Sequence, residues 1–269
     1  MTETEKKKLS LWSVNARGWH VDAFWMFLSL VMVLLLWEAL VMIFGFPGHL
    51  LPRPLAVAYS VIDHWGTIAE NAGDTTVAVL LGYMLAVVFA VPIAILIVIS
   101  PQVERLLYPP LVATQSIPKI ALAPLFIVWF GFGLETKVAV TFLICFFPIV
   151  VNVATGLATL EPEMEDVLRV LGARRIDVLL KVGLPRSLPY FFASLKIAIT
   201  LAFVGTVVSE TVASNQGIGY LMMSAGSQMR MGLVFAGLLV ISAMAMVMYE
   251  LFALLEKRMT GWAHRGQHR

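Results

Sequence analysis

Charged side chains are scarce in this 269-residue sequence: Asp, Glu, Lys and Arg together make up 13% of it, where soluble domains carry about 25%. With 59% hydrophobic residues and a mean hydropathy of +0.87, that scarcity excludes an ordinary soluble globule. Cysteine is scarcer still. The single Cys145 lies in an apolar run and excludes an internal disulfide framework. The five histidines (His20, His49, His64, His264, His268) show no ligand spacing within any expected helix, so no metal site is expected. A glycine-rich phosphate loop of the Walker type is absent, so the chain is not expected to hydrolyse ATP itself. No period of 20–50 residues repeats and no low-complexity tract occurs. The net charge of +2 is uninformative by itself, and no nucleic-acid partner is expected.

What the sequence does have is long apolar runs. A helix needs about 20 apolar residues to cross about 30 Å of hydrocarbon, and six such runs are legible: 24–46, 75–99, 109–131, 137–157, 188–209 and 231–255. The expected architecture is therefore all-α and polytopic, six transmembrane helices within residues 22–255. A cytosolic or interfacial segment, 1–21, precedes them and a basic cytosolic tail, 256–269, follows. The first run is too long for a signal-peptide core and lacks a small-residue cleavage site, so it reads as a retained span. Segment 56–71 is mildly amphipathic and is expected along the outer surface, and 102–108 is expected as a short cytosolic turn.

Lys and Arg set the orientation. With the N-terminus inside, the inner segments hold Lys6, Lys7, Lys8, Arg17, Arg105, Arg169, Arg174, Arg175, Lys181, Arg186 and the basic tail. The outer ones hold only Arg53, Lys137 and Arg230. Both termini and the polar interval 161–189 are thus expected on the cytosolic side of the membrane.

That interval, EPEMEDVLRVLGARRIDVLLKVGLPRSLP, is more than a loop. Residues 163–170 have helix-forming composition, with Glu161, Glu163, Glu165 and Asp166 where the positive end of the helix dipole favours acids. Gly172 breaks the helix. Residues 174–182 read as a second short helix, with Ile176, Leu179, Leu180 and Gly183 along one face, and Pro185 and Pro189 are expected to stop it. Two short helices joined at a glycine make a knob that a partner can grip.

The third run is interrupted by Pro109, Pro110, Pro118 and Pro124 and carries Thr114, Gln115, Ser116 and Lys119. Such breaks are tolerated in a membrane only where protein or a watery cavity satisfies the freed backbone groups, and in transporters they point to the pathway.

These motifs together resemble the permease subunits of bacterial ABC importers of the nitrate/taurine/sulfonate type. Leu171-Gly172-Ala173 and Leu184-Pro185 match that family's EAA loop, and Asp166-Val167-Leu168 stands where the family has Glu-Ala-Ala. Leu51-Pro52-Arg53-Pro54 resembles its Leu-Pro-Ser-Pro motif, SIPKIALAPLFIVWFGFG (116–133) its third-span signature, and Gly217-Ile218-Gly219-Tyr220 its outer loop. Phe146-Phe147-Pro148 and Asn152 also agree. The resemblance runs from about Leu34 to Trp262 and implies the fold of a type I ABC importer permease. It implies that Glu165, Asp166, Arg169, Leu171, Gly172, Ala173, Arg174, Arg175 and Pro185 form a coupling helix docked on an ATPase. It further implies two ATPase subunits that bind ATP and Mg, a second copy of this chain in a homodimer, and a periplasmic binding protein. The cargo is expected to be a small solute: nitrate, a sulfonate or taurine, or a related organic acid or vitamin precursor. No cofactor is expected in this chain.

Ionisable groups inside spans are site candidates by default, because an unpaired charge there costs at least about 2.5–3.5 kcal/mol. Lys119, with Gln115 and Ser116, lines the pathway or an inner gate, or else makes a structural pairing. Glu38 is expected to bond a neighbouring span before it contacts substrate. Lys196 is expected to snorkel to the cytosolic face, and Glu250 to snorkel or pair with Lys257. The resemblance makes Glu210 an outer-gate or binding-protein-facing residue. Met222, Met223, Met229, Met231, Met244, Met246 and Met248 read as soft packing, and Gly82, Gly156, Gly205 and Gly226 as sites of close helix contact.

Three rivals have discriminating features. An ion-driven secondary transporter needs paired inverted repeats with carboxylates at mid-membrane, and Glu38 alone is thin support. An intramembrane protease needs a serine–histidine or paired-aspartate site in the spans, yet every histidine lies outside the apolar cores. An energy-coupling-factor subunit uses two Ala-Arg-Gly coupling helices, and only one coupling segment is present.

Overall fold

The computed structural model describes residues 19–158, 168, 170–172 and 175–260. Every regular element among them is helical: α1 (Trp19–Phe44), α2 (Pro54–Asp63), α3 (Trp65–Ile99), α4 (Pro101–Gln115), a 3₁₀ turn (Lys119–Leu122), α5 (Ala123–Phe130) and α6 (Leu134–Leu157). They are followed by α7 (Arg175–Val178), a π turn (Leu179–Gly183), α8 (Leu184–Ala213), α9 (Ile218–Ser227) and α10 (Met231–Thr260). Five spans, on α1, α3, α6, α8 and α10, are long and apolar enough to cross a membrane. The pair α4–α5, bent by 87°, supplies a sixth.

The core is where α3, α6 and α8 pack. Val79, Tyr83, Ala86, Ala90 and Ala94 line one face of α3 against Cys145, Ile149, Val150 and Val153 of α6 and Phe192, Leu195, Ala198, Ile199, Ala202 and Phe203 of α8, all buried. Lipid tails are as apolar as leucine, so helices associate here through close van der Waals packing, for which small residues are needed. The alanine ladder of α3 supplies them, and two glycines bring the backbones closer still. A Cβ on Gly82 would lie 2.6 Å from the Cβ of Thr141, and one on Gly205 would lie 2.8 Å from Cδ1 of Ile144. Between them Thr141 and Thr206 share a buried hydroxyl hydrogen bond of 2.6 Å. Gly156 likewise admits the Tyr190 side chain, whereas Gly226 has only Val234 near it, at 3.9 Å, and brings no helices together.

A second cluster joins Val57 of α2, Ile68 of α3, Ile218, Leu221 and Ala225 of α9, and Leu233 and Ala236 of α10. Helix α1 stands apart, exposed along most of its length, and meets the bundle through a Trp37–Phe235 ring contact at 5.6 Å.

Several boundaries differ from expectation. The polar stretch before the second span is no separate surface segment beyond Asp63: α3 begins at Trp65 and runs 35 residues without a break. At about 1.5 Å per residue that is about 52 Å, well beyond the hydrocarbon thickness, so its first turns project past it. Residues 102–108 form no turn. Ser100 caps α4 by accepting from the Val103 N–H (3.4 Å), and Pro101 follows in the first turn, where its missing N–H costs nothing. The chain runs on helically through Pro109 and Pro110 and breaks instead at Ser116–Pro118. Pro185 and Pro189 do not stop a helix either. Pro185 occupies the first turn of α8 and Pro189 lies inside it, so α7, the π turn and α8 follow without a gap. The stretch after Glu210 is not all loop, because Ile218, Leu221 and Ala225 give α9 an apolar face to bury.

Gly82→Val should destabilise the detergent-solubilised protein by about 1–3 kcal/mol through overpacking, read as a lowered midpoint in thermal unfolding. Gly226→Ala should leave that midpoint in place.

Candidate functional site: a broken span, an exposed knob and a buried polar knot

The break in the third span is built by Pro118. Proline disfavours the helical conformation in the residue before it, and the chain leaves α4 at Ser116 to re-form as a 3₁₀ turn at Lys119. Three of the polar residues predicted for the pathway meet here. The Lys119 ammonium donates to the Gln115 side-chain oxygen and stands 6.0 Å from the centre of the Phe147 ring of α6. Gln115 and Ser116 are exposed and Lys119 is half-buried. Among the described residues no carboxylate forms an ion pair with Lys119.

Of the coupling residues, Glu165, Asp166, Arg169, Ala173 and Arg174 lie outside the described residues. Leu171, Gly172, the Arg175 backbone and Pro185 lie within them. Gly172 has φ +85°, a left-handed conformation that glycine alone adopts without cost, and it ends the helical stretch before it. On its N-terminal side Val170 and Leu171 are 87% and 77% exposed. A cavity of about 420 Å³ opens between Leu168, Leu171, Gly172, Asp177, Val178, Lys181 and Val182, with a Lys181–Asp177 ion pair (3.7 Å) on its wall. Large apolar side chains at the tip of a polar knob are unusual on a free surface and mark a contact site.

Glu210, which the resemblance makes an outer-gate or binding-protein-facing residue, is completely buried. Its carboxylate accepts from the Thr75 hydroxyl (2.9 and 3.0 Å) and the Gly219 N–H (2.9 Å), and lies 3.7 Å from the Lys137 ammonium, which is itself 3% exposed. The same Thr75 oxygen accepts from the Ile218 N–H (2.9 Å), and Asn71 Oδ1 accepts from the Gly217 N–H (2.8 Å). Lys137, read from the sequence as an outer loop cation, is thus an internal one. Taking a single charge out of water costs several kcal/mol unless a partner and hydrogen bonds offset it, and here both are present. Asn71, Thr75 and Lys137 escaped the sequence reading. The available signal was that Lys137 and Glu210 stand at the same end of adjacent spans with opposite charge.

Two further intramembrane ions are paired. Glu38 meets Arg53 Nε at 3.7 Å, bonding the segment after its own span rather than a neighbouring one. Lys196 is held by Glu256 of α10 and lies over the Tyr249 ring, so it is a helix-to-helix tie rather than a snorkelling group. Glu250 is exposed.

Comparison with known proteins places these features. The chain belongs to the family described as binding-protein-dependent transport system inner membrane component, whose model matches residues 78–261. A probable ABC transporter permease protein of Haemophilus influenzae is 34% identical over 81% of this chain and 89% of its own length. The formylaminopyrimidine transport permease protein ThiX of Halalkalibacterium halodurans is 34% identical over 87% and 94% respectively. The taurine transport system permease protein TauC of Escherichia coli is 28% identical over 80% and 78%. Among solved structures, the inward-facing MetNI methionine ABC transporter shares the fold, with TM-score 0.62 at 16% identity over 76% of this chain and 99% of that one. The chain is therefore a membrane-spanning permease subunit of an ABC importer, and the secondary-transporter reading is not favoured.

Thr75→Val removes a hydroxyl that serves both Glu210 and the Ile218 N–H, and should cost about 1–3 kcal/mol in thermal unfolding. Thr76→Val is the control. Its hydroxyl only bonds back to Ala72 (2.7 Å), and the midpoint should move by less than about 0.5 kcal/mol.

Proposed function

We propose that this chain forms half of the translocation path of an ATP-driven importer for a small solute, with a second copy supplying the other half. Two ATPase subunits bind and hydrolyse ATP with Mg at the cytosolic face, and a periplasmic binding protein delivers the solute from outside. Both chain termini lie in the cytosol. The solute is a small polar molecule of the kind named for the relatives, from nitrate, taurine and other sulfonates to a vitamin precursor such as formylaminopyrimidine. The observation that carries this reading is the knob at Gly172. Exposed apolar side chains at its tip, a left-handed glycine joint and a cavity behind it fit a segment seated in a groove of another protein. The coupling role belongs to 165–175, with Pro185 placing the first turn of the fifth span, and the path role to Lys119, Gln115 and Ser116 at the break.

Transport then follows from differential binding. ATP draws the two ATPases together, each knob moves with its ATPase, and the spans exchange an inward-open for an outward-open arrangement. Lys119 lies where the broken span frees backbone groups, and among the described residues its ammonium meets an amide oxygen and a ring face but no carboxylate. It is therefore available to a passing solute.

Gly172→Val should abolish solute uptake into proteoliposomes while leaving membrane insertion intact, because the φ of +85° strains any β-branched residue. Uptake at the wild-type rate would contradict the coupling role. Leu171→Asp, and separately charge reversal at Arg174 and Arg175, should reduce co-purification of the ATPase subunit; undiminished recovery would count against docking there. Lys119→Met should slow uptake at least tenfold at unchanged unfolding midpoint, and normal uptake with a lowered midpoint would assign Lys119 a purely structural role.

A further inference from the structure

The first turn of a helix leaves N–H groups without intrahelical partners. In α9 three successive ones, on Gly217, Ile218 and Gly219, are satisfied from outside the helix, by Asn71 and Thr75 of α3 and Glu210 of α8 respectively. The helix begins inside the protein and points its positive end at a buried carboxylate. Two glycines make the approach possible. A Cβ on Gly217 would overlap the Glu210 carboxylate, and one on Gly219 would lie 2.7 Å from the Glu210 Cβ; Gly217 in addition has φ +103°. Lys137, from the start of α6, supplies the counter-charge. One carboxylate therefore ties together all three helices of the core and the short helix beside them.

We infer that Glu210, with Lys137 as its counter-charge, is a positioning residue for transport: it fixes α9 to the α3–α6–α8 core so that the short helix travels with that core as one body. A helix held only by its apolar face, Ile218, Leu221 and Ala225, could slide or tilt as the spans rearrange. One whose end is pinned by three hydrogen bonds, one to the buried Glu210 carboxylate, one to the Thr75 hydroxyl that also serves it and one to Asn71, cannot move without breaking into that polar knot. The bend at Ser116–Pro118, and not α9, is then the deformable element. The claim about movement rests on the importer reading above, whereas the pinning itself does not.

Hydrogen–deuterium exchange of the full-length permease in lipid nanodiscs tests it, followed by mass spectrometry on overlapping peptides covering 214–234. In the wild type, residues 217–219 exchange far more slowly than the turn at 228–230. With co-expressed ATPase subunits present, they keep that protection both without nucleotide and with ATP and vanadate. Glu210→Gln presents an amide N–H₂ to the donors that now face a carboxylate, and exchange at 217–219 rises on the order of tenfold, with α3, α6 and α8 unchanged. Lys137→Met also raises it, by leaving the carboxylate without its counter-charge. Combining Glu210→Gln with Lys137→Met removes both charges together and recovers protection relative to either single variant. Wild-type 217–219 exchanging as fast as 228–230, protection lost in one nucleotide state, or Glu210→Gln without effect would each overturn the inference. So would a rise spread evenly over the core helices, which marks general destabilisation. A double variant no better than the worse single one would remove Lys137 from it. Failure of the ATPase to co-purify with the wild type would instead sink the importer reading and leave the nucleotide-free exchange result standing.

Discussion

Inside a bilayer no water is available to satisfy a polar group that the protein leaves open, and this single constraint orders the structure. Hydroxyls along the spans turn back on their own helices, as Thr76, Ser194, Thr200 and Thr211 do to carbonyls three or four residues earlier. Several groups that face the core find a partner across it: Tyr83 donates to the Leu195 carbonyl, Cys145 to the Ala198 carbonyl, and Thr141 meets Thr206, whereas the buried Ser209 hydroxyl and Trp37 N–H have none among the described residues. Charges obey the same rule at higher stakes. Lys196 and Glu256 tie α8 to α10, and Glu210 and Lys137 tie α8 to α6. Lys119 is the departure, half-buried with an amide and an aromatic face for company, and the departure falls at the one span that is broken.

Most of the architecture was legible because apolar length is a strong signal. The six runs correspond to the five long helices and the bent pair. The break near Pro118 could be read, since a proline there also constrains the residue before it. Gly172 could be read as a joint for a similar reason, and its φ of +85° agrees. Helix ends were less visible. Proline suggested stops at 109, 110, 185 and 189, yet only the break before Pro118 interrupts a span. Pro101 and Pro185 sit in first turns, where no N–H is needed, and Pro109, Pro110 and Pro189 are accommodated inside helices at the cost of a bond each. The polar start of α3 misled in the opposite direction. Glu70 and Asp74 look like surface residues, but the helix they belong to is held from its other face by Ile68, Asn71, Thr75 and Val79.

The knot around Glu210 was illegible for a different reason. Its members come from residues 71, 75, 137, 210 and 217–219, and nothing local connects them. A resemblance to known motifs singled out Glu210 and the glycine pair but could not show that each is there for the other. The glycines leave room for the carboxylate, and the carboxylate satisfies the backbone that the glycines bring near. Lys137 was counted among outer loop cations because a lone lysine at the start of a run is normally solvated. Only the packing of α6 between α3 and α8 brings it inside.

The connectivity of α8 gives these separate features a common mechanical axis. From Leu184 to Ala213 it is one helix of 30 residues, about 45 Å long at 1.5 Å per residue. The π turn Leu179–Gly183 joins it without a gap to α7, next to the Gly172 knob. Its far end carries Glu210. A displacement applied at the knob is therefore delivered along a single rod whose other end is pinned to α3, α6 and α9. The middle of that rod is interlocked with its neighbours at Gly205, Thr206 and Thr141. A close-packed core of this kind has few intermediate arrangements, so it transmits motion as a block. The compliance has to lie where helical continuity is interrupted. The broken span α4–α5 packs Val103, Leu107 and Leu111 against the block, and its interruption is the 87° bend at Ser116–Pro118. Lys119 stands beside that bend, and on the importer reading proposed above the element best able to yield is also the one placed to meet a solute.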